Sequence, residues 1–370
     1  MKKILVMALM LFALIILATC GGSDDTQEPT MTQDENNLPD EVTMEEIKIE
    51  EIQVEEIQIE ENDFSLSEFA APFFARLQYI WDEDNGEMWG MPLHSSVIIF
   101  CVDSGMAAAN RPDAEGELVY ADVDGVAVYM GERRMFRSRI SHGFWNGERA
   151  IFIRLQDMLD NPYQAMAEII YTHDVNIGLV NHYIIHWKQH NGILPQGLGQ
   201  SPSGSYSIGN NINYMMEINA LIEAIIADDE LEQIKHIHQA LSVRHIRRTD
   251  SRNADLGVRE NGQIITEGLP TYTEMVLPLS GEELKYSIKL WPEFILWRGQ
   301  DISLSYGYFG GALYGILLDA LGISWRPYVS EDIDLGDLLI AHLGIIYFIP
   351  LDEIDLEQYG YSEISRRLGN

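Results

Sequence analysis

The stretch Asn181-His182-Tyr183-Ile184-Ile185-His186-Trp187-Lys188-Gln189 carries two histidines four residues apart. It ends a long segment of helical pattern, Tyr163 to Gln189, which opens after Asn161-Pro162 with a proline in the first turn. A spacing of four residues puts His182 and His186 on the same face of this helix. Because two imidazoles in this arrangement can bind one zinc ion, the sequence predicts a helix that presents a candidate metal site.

A second string contains Glu267, 81 residues after His186: Ile265-Thr266-Glu267-Gly268-Leu269-Pro270-Thr271-Tyr272-Thr273-Glu274. This string resembles the N-E-G-x-A-x-Y-x-E string of gluzincin metallopeptidases. In that family the Glu before the Gly is the third zinc ligand and is presented from a second helix. The resemblance implies that Glu267 joins His182 and His186 as a ligand, with zinc as the cofactor. Two histidines, one carboxylate and an open fourth position form the arrangement of a catalytic zinc site.

Further strings occur in the order found in a group of uncharacterised exported bacterial gluzincin-like proteins, and the resemblance covers Val97 to Val329. It implies a zincin-like fold for this part of the chain. The matching strings are Phe100-Cys101-Val102-Asp103, Phe144-Trp145-Asn146-Gly147-Glu148-Arg149, Met216-Glu217-Ile218-Asn219-Ala220-Leu221, Arg244 with Arg247-Arg248, and Gly311 with Leu317-Leu318-Asp319 and Trp325-Arg326.

The general base of the H-E-x-x-H motif is missing, because Tyr183 stands where that motif has Glu. The Glu takes a proton from the attacking water and later delivers it to the leaving amine. A phenol, whose ordinary pKa is about 10, is a poor replacement at neutral pH. Since loss of a positioned acid–base group typically costs about 10²–10⁴-fold in rate, the sequence predicts impaired hydrolysis.

A competing alignment lies nine residues earlier, where His173-Asp174-Val175-Asn176-Ile177 can be laid over the same motif. It keeps an acid, Asp174, at the position of the base but replaces the second histidine by Ile177. We prefer the register of His182 and His186 because it keeps both histidine ligands.

Three other residues are candidates for orienting the ligands from outside the metal centre. Glu217 belongs to one of the strings that match the gluzincin-like proteins. Tyr272 and Glu274 follow Glu267 in the string that supplies the third ligand.

Residues 1–20 have the pattern of a lipoprotein signal peptide. Met1-Lys2-Lys3 precede an apolar run from Ile4 to Leu17, and a small-residue cleavage site follows. The run is shorter than the roughly 20 residues that span a bilayer. Leu17-Ala18-Thr19-Cys20 resembles a lipobox, which implies that Cys20 carries the lipid after cleavage. We therefore expect a chain anchored through Cys20 to the cell membrane, on its extracytoplasmic face.

Residues 21–63 have the composition of an acidic, disordered linker. Between Asp24 and Glu61 there are 15 acidic residues and one basic residue, Lys48, so this segment supplies −14 of the net charge of −34. Its Glu-Glu-Ile-x-Ile/Val repeats have a period of five, which matches neither a helix nor a strand. They are typical of a self-repelling spacer; the alternative is a strip that binds cations or a partner. The acidity of the whole chain argues against nucleic acid as a partner.

Residues 64–370 have the composition of a globular domain. The part from about 64 to 155 contains strand patterns, among them Val97–Val102, Ala150–Leu155 and two segments around Asp124-Gly125, a hairpin signal. The part from about 160 to 370 is helical and includes Gly307–Leu321, a glycine-rich apolar segment suited to close packing. The sequence predicts an α+β fold: a β-rich N-terminal part followed by a mainly α-helical, zincin-like part.

These residues are consistent with three functions. The first is a membrane-tethered, zinc-metallopeptidase-like lipoprotein with impaired hydrolysis, a pseudoenzyme with a peptide or protein ligand. The second is an active metallopeptidase in which Asp174 or Glu274 replaces the missing base. The third is a non-enzymatic surface lipoprotein, a binding or scaffold module that kept the fold and lost the metal.

Overall fold

The computed structural model describes a mostly helical chain. The predicted signal peptide, Cys20 and the acidic linker lie outside the residues that it describes. Within the described part of the chain, no helix is both long and apolar enough to span a membrane. The described residues are 66–93, 98–103, 106–110, 117–121, 127–130, 140–145, 148–154, 172–197, 207–249, 255–279, 281–297, 302 and 305–369.

Six strands are described between residues 98 and 154, and they form one mixed sheet. They are β1 (Ile98–Asp103), β2 (Met106–Ala109), β3 (Glu117–Ala121), β4 (Ala127–Met130), β5 (Ile140–Trp145) and β6 (Glu148–Arg154). Their order in the sheet is β3-β4-β2-β1-β6-β5, with β1 and β6 parallel and the other neighbours antiparallel. The pair β3 and β4 brackets the predicted hairpin turn at Asp124-Gly125, which itself lies outside the described residues.

The first described element is a helix, α1 (Leu66–Asp84), in a region for which the sequence analysis expected mainly strands. Its residues Phe73, Leu77, Ile80 and Trp81 are buried and recur at the three- and four-residue spacing of a helix face. The prediction of strands for this region did not take the helical spacing of these four residues into account. The helix packs against β1, β2 and the first described helix after the sheet, Thr172–His190, so its apolar face covers one side of the strands.

The remainder of the described chain is helical, as predicted for residues beyond about 160. A single hydrophobic core extends from Phe73 in α1 to Ile364 near the C-terminus. The helices are α2 (Thr172–His190), α3 (Ile208–Ile226), α4 (Glu230–Thr249), α5 (Leu256–Gln263), a π-helix (Ile264–Gly268), α6 (Leu269–Val276), α7 (Gly281–Ile288), α8 (Trp291–Trp297), α9 (Ser305–Ala320), α10 (Leu335–Leu343) and α11 (Tyr361–Leu368), with 3₁₀ turns at Arg326–Tyr328, Leu351–Glu353 and Leu356–Tyr359.

Helix α9 lies in direct backbone contact with the π-helix. Gly307, Gly311 and Gly315 are four residues apart and therefore share one face of α9. A Cβ added at Gly311 would lie 2.7 Å from the Cα of Gly268, which is closer than real Cβ atoms approach. The close packing expected of the glycine-rich segment is therefore present. It fixes the position of Glu267, the neighbour of Gly268, relative to α9.

Helix α2 approaches α6 in the same way at Gly178. A Cβ at this position would lie 2.6 Å from the backbone carbonyl oxygen of Glu274, an atom that cannot move without moving its helix. Because Gly178 and His182 are one turn apart on α2, this contact brings Glu274 alongside His182. All the residues of α2 from Ile177 to His186 are buried, so the helix that carries both histidines lies inside the core.

We predict that Gly311→Ala destabilises the fold, whereas Gly310→Ala on the same helix does not. The new methyl at residue 311 would meet backbone and force α9 off the π-helix, at a cost of about 1–3 kcal/mol. At residue 310 the nearest neighbouring atoms are 3.4 Å away, in the side chain of Tyr306, and alanine favours a helix by up to about 1 kcal/mol over glycine. Urea unfolding followed by circular dichroism measures both; equal effects would refute the contact.

Candidate metal centre

Three side chains meet at the junction of α2 and the π-helix. Nε2 of His182 lies 3.1 Å from Nε2 of His186, and the latter lies 3.3 Å from Oε2 of Glu267. One ligand atom from each of the three residues lies within 4.8 Å of the other two. His182 is fully buried, and the Glu267 side chain is 17% exposed, so the cluster opens to solvent on the Glu267 side.

This spacing can be compared with that of a tetrahedral zinc site. Zinc–nitrogen and zinc–oxygen bonds of about 2.0–2.2 Å at tetrahedral angles place neighbouring ligand atoms about 3.3 Å apart. The two separations of 3.1 and 3.3 Å match that edge, and the third pair of ligand atoms lies within 4.8 Å. Among the described residues, no donor meets the buried Oε2 atom of Glu267 with the geometry of a hydrogen bond. The residues present therefore fit a zinc ion bound by two imidazoles and one carboxylate.

The π-helix explains how His186 is oriented. Within it the Leu269 N–H donates to the carbonyl of Ile264, and the carbonyl of Ile265 would next receive the N–H of residue 270. That residue is Pro270, which has no N–H. The carbonyl of Ile265 accepts instead from Nε2 of Gln189, at 2.7 Å.

Gln189 in turn sets the tautomer of His186. Because its amide nitrogen is committed to Ile265, its Oε1 is the atom that faces Nδ1 of His186, at 3.2 Å. An amide oxygen only accepts, so Nδ1 carries the imidazole proton and Nε2 presents its lone pair to the cluster.

Glu274 contacts the other histidine, His182. Its Oε2 lies 2.9 Å from Nδ1 of His182, and both side chains are buried. The two atoms do not meet with the geometry of a hydrogen bond, so the contact positions the ring without deciding which of its nitrogens carries the proton. Burial raises the pKa of the Glu274 carboxyl to about 8, against the opposing charge of His186.

Glu267 is held as an anion. Burial acts to raise the pKa of its carboxyl, but contacts and charges from His186 and His182 outweigh burial and lower that pKa. Tyr308, from α9, also forms a hydrogen bond with Glu267 and stacks on the ring of His182, with centroids 6.2 Å apart. Sequence reasoning missed Tyr308, although its place in the glycine-rich helix next to Gly307 was a usable signal.

Tyr183 is buried beside the cluster. Its ring lies edge-on to His182 and His186, with centroids 5.9 and 6.4 Å away. The position that holds Glu in H-E-x-x-H thus holds a phenol in the apolar surroundings of the core.

Two of the predicted orienting residues make their described contacts elsewhere. Glu217 accepts hydrogen bonds from Tyr306 and Tyr314 and pairs with Arg247, because α3 packs on α4 and α9. The Tyr272 hydroxyl bonds to Asp319 and Arg326. Residues two apart on a helix point about 200° away from each other, which is why Glu274 reaches His182 and Tyr272 does not.

The alternative register gains no ligand cluster among the described residues. Ile177 is buried in the hydrophobic core, and the side chains of His173 and Asp174 lie outside the description. Asp174 is on the same helix, eight residues and about 12 Å along its axis from His182.

Comparison of the chain with known proteins returned nothing: no family model, no curated protein and no solved structure matches it. The site is therefore interpreted from its own geometry.

We predict that Gln189→Ala weakens zinc binding, because His186 would lose the group that fixes its tautomer. Loss of such an orienting partner typically costs about 10–100-fold in metal affinity. Gln196→Ala, an exposed glutamine in the loop after α2, is the matched control and should leave affinity unchanged. Competition with a zinc-binding dye gives both constants, and equal values for the two variants would contradict the role of Gln189.

Proposed function

We propose that this chain is a zinc-binding, metallopeptidase-like lipoprotein whose capacity for hydrolysis is impaired. The single observation that carries the proposal is the convergence of ligand atoms from His182, His186 and Glu267 within 4.8 Å. His182 and His186 lie one helical turn apart, whereas Glu267 is 81 residues further along the chain, and the resemblance to gluzincins implies the same set.

The protonation of the cluster supports a cation. With Gln189 at Nδ1 of His186, the Nε2 atom of that ring and the Glu267 carboxylate turn lone pairs toward each other, and Nε2 of His182 lies 3.1 Å from Nε2 of His186. Acceptors that face each other in a buried space repel unless a proton or a metal ion lies between them. Two imidazole nitrogens and one carboxylate are a donor set that suits zinc.

The geometry also supports the expectation of impaired hydrolysis. A neutral phenol at residue 183 cannot accept a proton as a carboxylate does. Glu274 contacts Nδ1 of His182, on the edge of the ring opposite Nε2, so it is not placed to activate a water at the ligand cluster. Zinc, when bound, would supply a Lewis acid there, but the chain would lack the base that such chemistry requires.

The proposed location of the protein rests on its sequence. A lipid on Cys20 would hold the chain at the extracytoplasmic face of the membrane, and the acidic residues from 21 to 63 would keep the folded part away from it. A peptide or protein met outside the cell membrane is the ligand class that this arrangement suits.

We predict that the full chain, extracted from membranes, contains about one zinc ion per molecule, as a single site with three protein ligands requires. His186→Ala and Glu267→Gln should each lose most of this zinc, because a ligand is removed. His342→Ala, which removes an exposed histidine on another helix, should retain it. Elemental analysis by mass spectrometry measures the zinc, and circular dichroism checks that each variant is folded.

Zinc absent from the folded native chain, even after incubation with the ion, would overturn the proposal and leave the non-enzymatic scaffold. Equal loss of zinc from His342→Ala would mean that the metal is bound elsewhere. A native chain that takes up no labelled fatty acid, or a Cys20→Ala variant that takes up as much as the native chain, would refute the anchor without bearing on the metal.

We predict that Tyr183→Glu creates or raises peptidase activity by about 10²–10⁴-fold, because it restores the base. The matched control is Tyr183→Gln, which has the same size as Glu but accepts no proton. Cleavage of a quenched fluorescent peptide library, with and without a chelator, measures the gain. Chelator-sensitive cleavage by the native chain at the rate of the Glu variant would favour an active enzyme, and a zinc-loaded Glu variant without any gain would show that residue 183 is not the base position.

A further inference from the structure

A groove of about 870 Å³ lies beside the candidate metal centre. One wall is the end of α2 with the loop after it, residues 189–196, and the other is the segment 329–332 that follows the 3₁₀ turn Arg326–Tyr328. Gln189, which bonds His186, lines the groove, and so does His190, whose ring stacks on His186 with centroids 6.3 Å apart. The groove thus adjoins the residues that surround the ligand cluster, not the ligand atoms.

The walls of the groove combine an apolar surface with negative charge. Ile193 is 46% exposed, and Val329 is partly exposed, so both offer apolar area to an occupant. Glu331 and Asp332 are exposed on the opposite wall, and in the described part of the chain neither forms an ion pair; Asp332 accepts a hydrogen bond from Ser330. The volume is within the range of about 300–1,000 Å³ typical of ligand sites.

We infer that this groove binds a short peptide segment that carries basic side chains between apolar ones. The two acids supply charge complementarity, and Ile193 and Val329 supply contact for the apolar side chains. The net charge of −34 attracts a cationic segment at long range. The acidic linker of the chain itself has the wrong sign to occupy the groove.

The inference goes beyond the proposed metal function and does not depend on zinc. None of the groove residues named for contact is a candidate ligand, so binding should occur in the presence of a chelator. If the native chain holds no zinc but still binds the peptide, only the metal proposal is refuted. If it holds zinc but does not bind the peptide, only the groove proposal is refuted.

The test is fluorescence anisotropy with a labelled, end-blocked hexapeptide of alternating leucine and lysine, titrated with the full chain in detergent. The combined change Glu331→Gln with Asp332→Asn should weaken binding about 3- to 10-fold, since each exposed charge pair contributes modestly. Asp352→Asn with Glu353→Gln is the matched control, because it removes the same two charges from another exposed turn. Ile193→Ala should also weaken binding, whereas Ile346→Ala, at an exposed isoleucine elsewhere, should not.

The proposal is supported if the groove variants alone weaken binding and if replacing the lysines of the peptide by glutamine abolishes it. It is overturned if there is no saturable binding up to about 1 mM. It is equally overturned if the control pair weakens binding as much as the groove pair, since attraction would then be a property of total charge.

Discussion

The backbone contact between α9 and the π-helix is the constraint on which the candidate metal centre depends. Gly311 and Gly268 allow the two backbones to meet, and Glu267 is held at the adjoining position. The contact of α2 with α6 at Gly178 also positions a side chain at the cluster, because it brings Glu274 next to His182. Four helical segments thus touch in two pairs at backbone level around the cluster, and the positions of its side chains follow from packing that leaves little freedom.

The polar groups around the cluster then influence which of its ligand atoms carry protons. Pro270 lacks an N–H, so the carbonyl of Ile265 remains available to Gln189, and Gln189 orients His186. A residue with no side-chain contact to the cluster therefore influences which imidazole nitrogen carries a proton. Glu274, a buried carboxyl whose Oε2 lies 2.9 Å from Nδ1 of His182, positions the other ring by contact.

Sequence reasoning brought His182, His186 and Glu267 together as candidate ligands because its signals are local or resemble those of a family. The spacing of His182 and His186 is a property of one helix, and Glu267 came from a string that resembles gluzincins. Contacts between elements were harder to predict from the sequence. The role of Tyr308 depends on which neighbour one face of α9 meets, and the contacts of Glu217 depend in the same way on α3. The helix Leu66–Asp84 was missed because its helical spacing was not weighed against the strand signals that follow it.

The full burial of His182 bears on how a metal ion would exchange. In the described part of the chain, the exposed area of the cluster lies on Glu267 and His186, so an ion bound there could leave on that side without passing His182. Its residence time would then depend on how readily those two ligands release it, and would not require local unfolding of the surrounding helices. Such a chain could exchange one metal for another while folded, and competition between metals would be decided by their affinity and abundance.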